Sequence, residues 1–148
     1  MPISYSYIGN ALHRAVQTVD NHKKGVNALE VEKDLLTRLE KEIRKEQTGS
    51  SLSFNWEMDP DKRDLLDKIY DLKLLENLNE KVYAFTELEK VEELVNTLQV
   101  ALKTKVHDLQ NNQQIHAEKK QELMRFYNEL LEIISKLAQI VSSVTQRI

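Results

Sequence analysis

Four histidines, His13, His22, His107 and His116, are the side chains best suited to hold a metal or move a proton near neutral pH. Two histidines on one helix face need a spacing of three or four residues to share a metal with a nearby carboxylate. These pairs are spaced by nine, so a seam or solvent-facing role is the expectation. Paired carboxylates in apolar surroundings would allow general acid–base work. Here Asp and Glu alternate with Lys and Arg at helical spacings, as in Asp34/Arg38, which is ordinary helix-surface patterning. There is no glycine-rich phosphate loop, and the absence of Cys excludes disulfides, thiolate zinc sites and cysteine nucleophiles. The residues therefore predict a chain that is not an enzyme and takes no cofactor or metal. Trp56, the only tryptophan, has two readings: it pins a connector onto helices, or it is an exposed anchor for a partner.

Composition sets what kind of scaffold positions these groups. In 148 residues, 30% are charged and 41% apolar, with three Gly and two Pro. So few turn formers argue against a β-sandwich and for long helices. The 21 basic and 24 acidic residues leave a net charge of −3, which gives no strong reason to bind nucleic acid or an anionic membrane. No apolar run approaches the roughly 18 residues that a membrane-spanning helix needs. Met1-Pro-Ile-Ser-Tyr-Ser-Tyr lacks a basic region followed by an apolar stretch, so no cleaved signal peptide is expected. The protein is expected to be made in the cytoplasm, with export by a signal-independent route open to it.

The first expected element is a helix over residues 8–46. Its stripe includes Val19, Leu29 and Leu36, with polar interruptions at His22, Lys33 and Glu40. Gly49 is placed to end it. Residues 47–58 form an irregular connector in which Leu52, Phe54, Trp56 and Met58 alternate with polar residues. With no strand partner in view, the connector reads as an ordered loop. Asp59-Pro60 has the form of a helix start, and residues 59–85 read as short helices with Asn77-Leu78-Asn79 as their weak point.

The second long helix is expected over 86–148, opened by the capping-box spacing of Thr86 and Glu89. Its stripe runs through Leu98, Leu102 and Leu109, then resumes in phase at Leu123 and continues through Leu130 and Leu137. Unbroken, it would be roughly 95 Å long. The alternative is a turn near Gln110-Asn-Asn-Gln-Gln114. Preserved phase and the absence of Gly and Pro favour continuity. The fold class expected is all-α: an antiparallel coiled coil of two long helices with short helices in the connector, forming a single helical domain. Val19, Leu29, Leu36, Leu98, Leu102, Leu109, Leu130 and Leu137 are its expected core.

The C-terminal stretch is richer in apolar residues than one seam requires. Ile134, Val141 and Ile148 lie off the main seam. A small bundle would cover them internally, and an assembling protein would leave them for other chains. With Trp56 they are the candidate assembly or partner surface.

The segment from Lys119 to Val144, KKQELMRFYNELLEIISKLAQIVSSV, resembles the C-terminal helix of type III secretion needle-tip and filament proteins. The upstream LQVALKTKVHDL, Leu98 to Leu109, is similar to their long coiled coil. The chain has no room for the separate central domain of tip proteins, so filament and translocator-like members are closer in size. The resemblance implies a non-enzymatic coiled-coil component, exported without a cleaved signal, that associates with copies of itself or docks on other components. It implies no functional residues beyond the C-terminal stripe. Two other readings stand beside it: a cytoplasmic adaptor or secretion chaperone that binds a partner helix, and a secreted effector that binds host proteins.

Overall fold

The computed structural model describes the backbone of residues 5–52, 54–76, 78, 80–85 and 88–147, and the side chains of 12, 27–52, 55–76, 78, 80–84 and 88–146. The chain divides into two compact units, Met1–Glu32 and Lys33–Ile148. The first is helical from Tyr5, as the opening part of α1 (Tyr5–Glu46). Within it Leu29 is buried, whereas Leu12 and Val31 are exposed.

The second unit begins with residues 33–46 of α1, where Leu35, Leu36, Leu39 and Ile43 form one buried stripe. The chain then turns through a two-residue hairpin, β1 (Gln47–Thr48) against β2 (Ser51–Leu52), in antiparallel register Gln47↔Leu52. Gly49 occupies the turn at φ 58°, a left-handed conformation that strains residues with a Cβ. Beyond it, β3 (Phe54–Asn55) pairs with β4 (Ala84–Phe85), some 30 residues later in the chain. The expected loop therefore does contain paired strands: β1 and β2 pair within it, and β3 pairs with β4 outside it. Its alternation is real at Leu52 and Trp56, both buried, and fails at Met58, which sits in a turn and is 88% exposed.

Helix α2 (Pro60–Tyr70) starts where Asp59-Pro60 indicates. The Asp59 carboxylate accepts the N–H groups of Asp61 at 3.1 Å and Lys62 at 3.2 Å. A cap of this kind contributes about 1 kcal/mol. The helix stops earlier than the 59–85 reading implies, because Leu72 turns extended at φ −64°, ψ 139°. A single 3-10 turn, Lys73–Leu75, follows, and residues 80–85 run outside any helix into β4. Asn77 and Asn79 lie outside the described residues.

Residues 86–148 are not one helix. They form α3 (Leu88–Asn111) and α4 (Ala117–Arg147), which pack closely against each other as a hairpin. Local hydrogen bonds make the link. Asn112 Oδ1 accepts the Gln114 N–H at 2.9 Å, and the His116 carbonyl accepts the Lys120 N–H at 2.9 Å as the first bond of the new helix. Asn favours such side-chain turns over helix interiors. Reversal also buries Leu98 and Leu102 in one core with Leu130, Ile134 and Leu137, all at 0% exposure. A continuous helix would leave both sets in water, at roughly 1.5–3 kcal/mol per side chain. Continuity of the apolar phase across the link is thus compatible with a turn, and burial decides between them. The architecture is all-α, with α3 and α4 as an antiparallel pair of long helices where one helix over 86–148 was expected.

Candidate functional site

The second unit brings together most of the predicted core residues. Leu36, Leu98, Leu102, Leu130 and Leu137 are wholly buried. Leu109 is only half-buried, seven residues beyond the last core layer on α3. Leu29 is buried in the N-terminal unit, and the side chain of Val19 lies outside those described.

The predicted assembly surface is different. Ile134 is 0% and Val141 1% exposed, so neither is free for another chain. The reason is geometric: α4 meets α3 on one side and β2 on another, and it contributes to a core that also holds residues of α1 and α2. A helix with several neighbours needs a wider apolar face than one seam provides. Trp56 is 1% exposed, which corrects the reading of it as an exposed anchor. Ile148 lies outside the described residues. Every fully buried side chain described is apolar.

Ionisable chemistry is concentrated where α2 meets β4, at residues that sequence reasoning did not single out. Arg63, Asp67 and Tyr70 fall at four- and three-residue steps on one face of α2, a spacing that was available to read. The Tyr70 hydroxyl donates to the Val82 carbonyl at 2.7 Å and accepts the Val82 N–H at 3.1 Å. Tyr83 donates a hydrogen bond to the Asp67 carboxylate. The Arg63 guanidinium lies 4.6 Å from the Tyr83 ring centre, and the Tyr70 and Tyr83 rings meet edge to face at 5.9 Å. The bond to Asp67 is the main cause that pushes the Tyr83 phenol up to about 12, with burial second. Burial raises Tyr70, opposed by its bond at Val82. Phenols held protonated in this way serve as hydrogen-bond donors, not nucleophiles.

Ion pairs also tie α1 to α2 and to α4. Lys62 lies 2.7 Å from Glu46 and 5.8 Å from the Trp56 ring centre. Its ammonium is raised, chiefly by the bond to Glu46. Lys33 lies 2.7 Å from Glu129, and that bond lowers the Glu129 carboxyl. Among the described residues no three His, Asp or Glu side chains are placed to hold a metal ion. His107 and His116 are both exposed.

The surface carries an open groove of about 520 Å³ between the 3-10 turn and the outer face of α3. Its floor includes Leu74, Ala101 and Val100, the last 63% exposed. A smaller cavity of about 180 Å³ lies among Tyr70, Val82 and Leu94, below the usual size of a small-molecule site. Past Leu102 and Leu130 the α3–α4 hairpin continues as a tip, residues 103–129, in which no described side chain is fully buried. Among the described residues no helix is long and apolar enough to cross a membrane. No family model matches the chain, and neither does any curated protein or solved structure.

Proposed function

We propose that this chain is a non-enzymatic protein that works by binding other proteins, and that it is an exported helical component of a type III secretion apparatus. The observation that carries the interaction reading is the hairpin tip. Beyond Leu102 and Leu130, α3 continues for about 13 Å and α4 for about 19 Å at 1.5 Å per residue, with Val106, Leu109 and Leu123 only half-buried. Helices that run past their own core present apolar edges for helices of other chains. The likeness of 119–144 to secretion filament helices supplies the apparatus. Burial of Ile134 and Val141 means that assembly uses some other face.

Expression in cells with and without a working type III apparatus tests the proposal. Apparatus-dependent release of the chain into the medium is expected, together with co-purification of apparatus components. Equal retention in both strains would remove the export reading. Burial of Ile134 and Val141 inside the chain's own core favours a second reading, a cytoplasmic adaptor that binds a partner helix, and retention with a bound partner would establish it.

A further inference from the structure

We infer that two copies of this chain exchange α4: the link at residues 112–116 straightens, α3 and α4 become one helix, and α4 of each copy packs on α3 of the other. This concerns the opened chain and does not rest on the secretion reading, which concerns docking of the closed one.

Nothing in the link requires a turn. Asn112, Gln113, Gln114, Ile115 and His116 include no Gly or Pro. Among the described residues only Gly49 has a positive φ, so this link lacks the left-handed residue that shapes the hairpin at 47–52. Ile115 is half-buried and the other four are exposed, so no link side chain is enclosed by the core. The bonds that hold the link are local. Asn112 N–H donates to the Leu109 carbonyl at 3.3 Å, Gln114 N–H to Asn112 Oδ1 at 2.9 Å, and Glu118 N–H to His116 Nδ1 at 3.4 Å. A straight helix replaces them with ordinary helical bonds and gives partners to the last carbonyls of α3 and the first N–H groups of α4. Gln is also a good helix former.

The apolar stripe keeps a register across the link that the closed chain does not use. Leu102, Leu109, Leu123, Leu130 and Leu137 follow one another at seven, fourteen, seven and seven residues. In a hairpin the link sets the rotation of α4 about its own axis, so the phase between the two arms is free. In an exchanged pair one straight helix must turn both halves toward a single antiparallel neighbour, and steps that are multiples of seven do so. Straightening alone would expose Leu98 and Leu102 on one arm and Leu130, Ile134 and Leu137 on the other, whereas exchange buries both sets again. Each contact that α4 makes in the closed chain, with α3, with β2 and through Glu129 with Lys33, is remade with the second copy. The occupant of the opened face is thereby fixed: it is the α4 of another copy, because α4 is what left it. Exchange of an identical element needs no new interface. The closed form competes at the roughly millimolar effective concentration that a short linker provides. Exchange also requires α4 to leave the core, so a dimer is expected on refolding at high concentration and should persist after dilution.

Refolding the whole chain from urea at about 10 µM and at about 1 mM, followed by sedimentation velocity, tests this. Monomer is expected at the lower concentration and a dimer fraction at the higher. Chains carrying spin labels at both Glu89 and Ser142, refolded in excess unlabelled chain, report the arrangement within one copy. The labels should lie within about 30 Å in the monomer and about 80 Å apart in the dimer. Gln113→Gly with Gln114→Gly disfavours the straight helix in both copies and should lower the dimer fraction about tenfold. Asn112→Ala with His116→Ala, which removes the local turn and the acceptor at the start of α4, should raise it. Circular dichroism of the monomers checks that these exposed changes leave the chain folded. A chain that refolds only to monomer at 1 mM, a dimer whose labels stay within 30 Å, or a dimer fraction indifferent to both double variants overturns the proposal.

Discussion

One hydroxyl of Tyr70 satisfies both main-chain groups of Val82, accepting its N–H at 3.1 Å and donating to its carbonyl at 2.7 Å. An α2 side chain thus replaces a missing strand for the segment that leads to β4. Tyr70→Phe leaves two polar groups with no such partner at a part-buried site. A loss of about 1–3 kcal/mol is expected in urea unfolding, with faster hydrogen exchange at the Val82 amide. An unchanged midpoint and unchanged exchange would mean that the clamp contributes nothing.

Alkaline unfolding should report Tyr83. Its phenol lies at about 12 in the folded chain, above the ordinary 10.0. The unfolded chain therefore loses this proton first. Stability from the bond to Asp67 is complete below pH 10 and is lost as pH rises through 12. Tyr83→Phe should be less stable at pH 8 and show a shallower decline between pH 10 and 12. Parallel curves for parent and variant would show that this bond does not set the alkaline limb.

The hairpin makes a distance prediction. Spin labels on the exposed residues Glu89 and Ser142 would lie about 80 Å apart on a continuous helix. Folded back at the 8–10 Å separation of packed helices, they should lie within about 30 Å. A long distance in solution would restore the single helix.

Core leucines on both arms should behave alike. Leu102→Ala and Leu130→Ala each remove a wholly buried side chain and should cost about 2–5 kcal/mol. Ile134→Lys, which the assembly reading would tolerate, should instead prevent folding, because it introduces an unpaired charge into an apolar core. A folded Ile134→Lys variant would show that this position is not enclosed.

Helix type and the Asp59 cap were legible because periodicity and capping are local properties of sequence. Leu98, Leu102, Leu130 and Leu137 were legible as a seam for the same reason. Their partners were not. Stripe phase across residues 109–123 is the same for a straight helix and for a hairpin, so the Asn112 turn had to be decided by burial. The surplus at Ile134 and Val141 shows that α4 needs a broad face without showing whose side chains cover it. Pairing of Phe54 with Phe85 is non-local, and no two-residue strand carries a pattern that announces a distant mate. The Tyr83–Asp67 bond shares that difficulty, although Arg63, Asp67 and Tyr70 stood on one legible face of α2.

The short link at residues 112–116 also sets a timetable. Closing it brings α3 onto α4 with little loss of chain entropy, whereas residues 33–46 of α1 reach the same core only across a far larger loop. Contacts near in sequence form fastest. The hairpin is therefore expected to be the nucleus onto which residues 33–46 of α1 condense. Stopped-flow kinetics would then show Leu102→Ala slowing folding and Leu36→Ala mainly speeding unfolding. The reverse pattern would place the nucleus in α1.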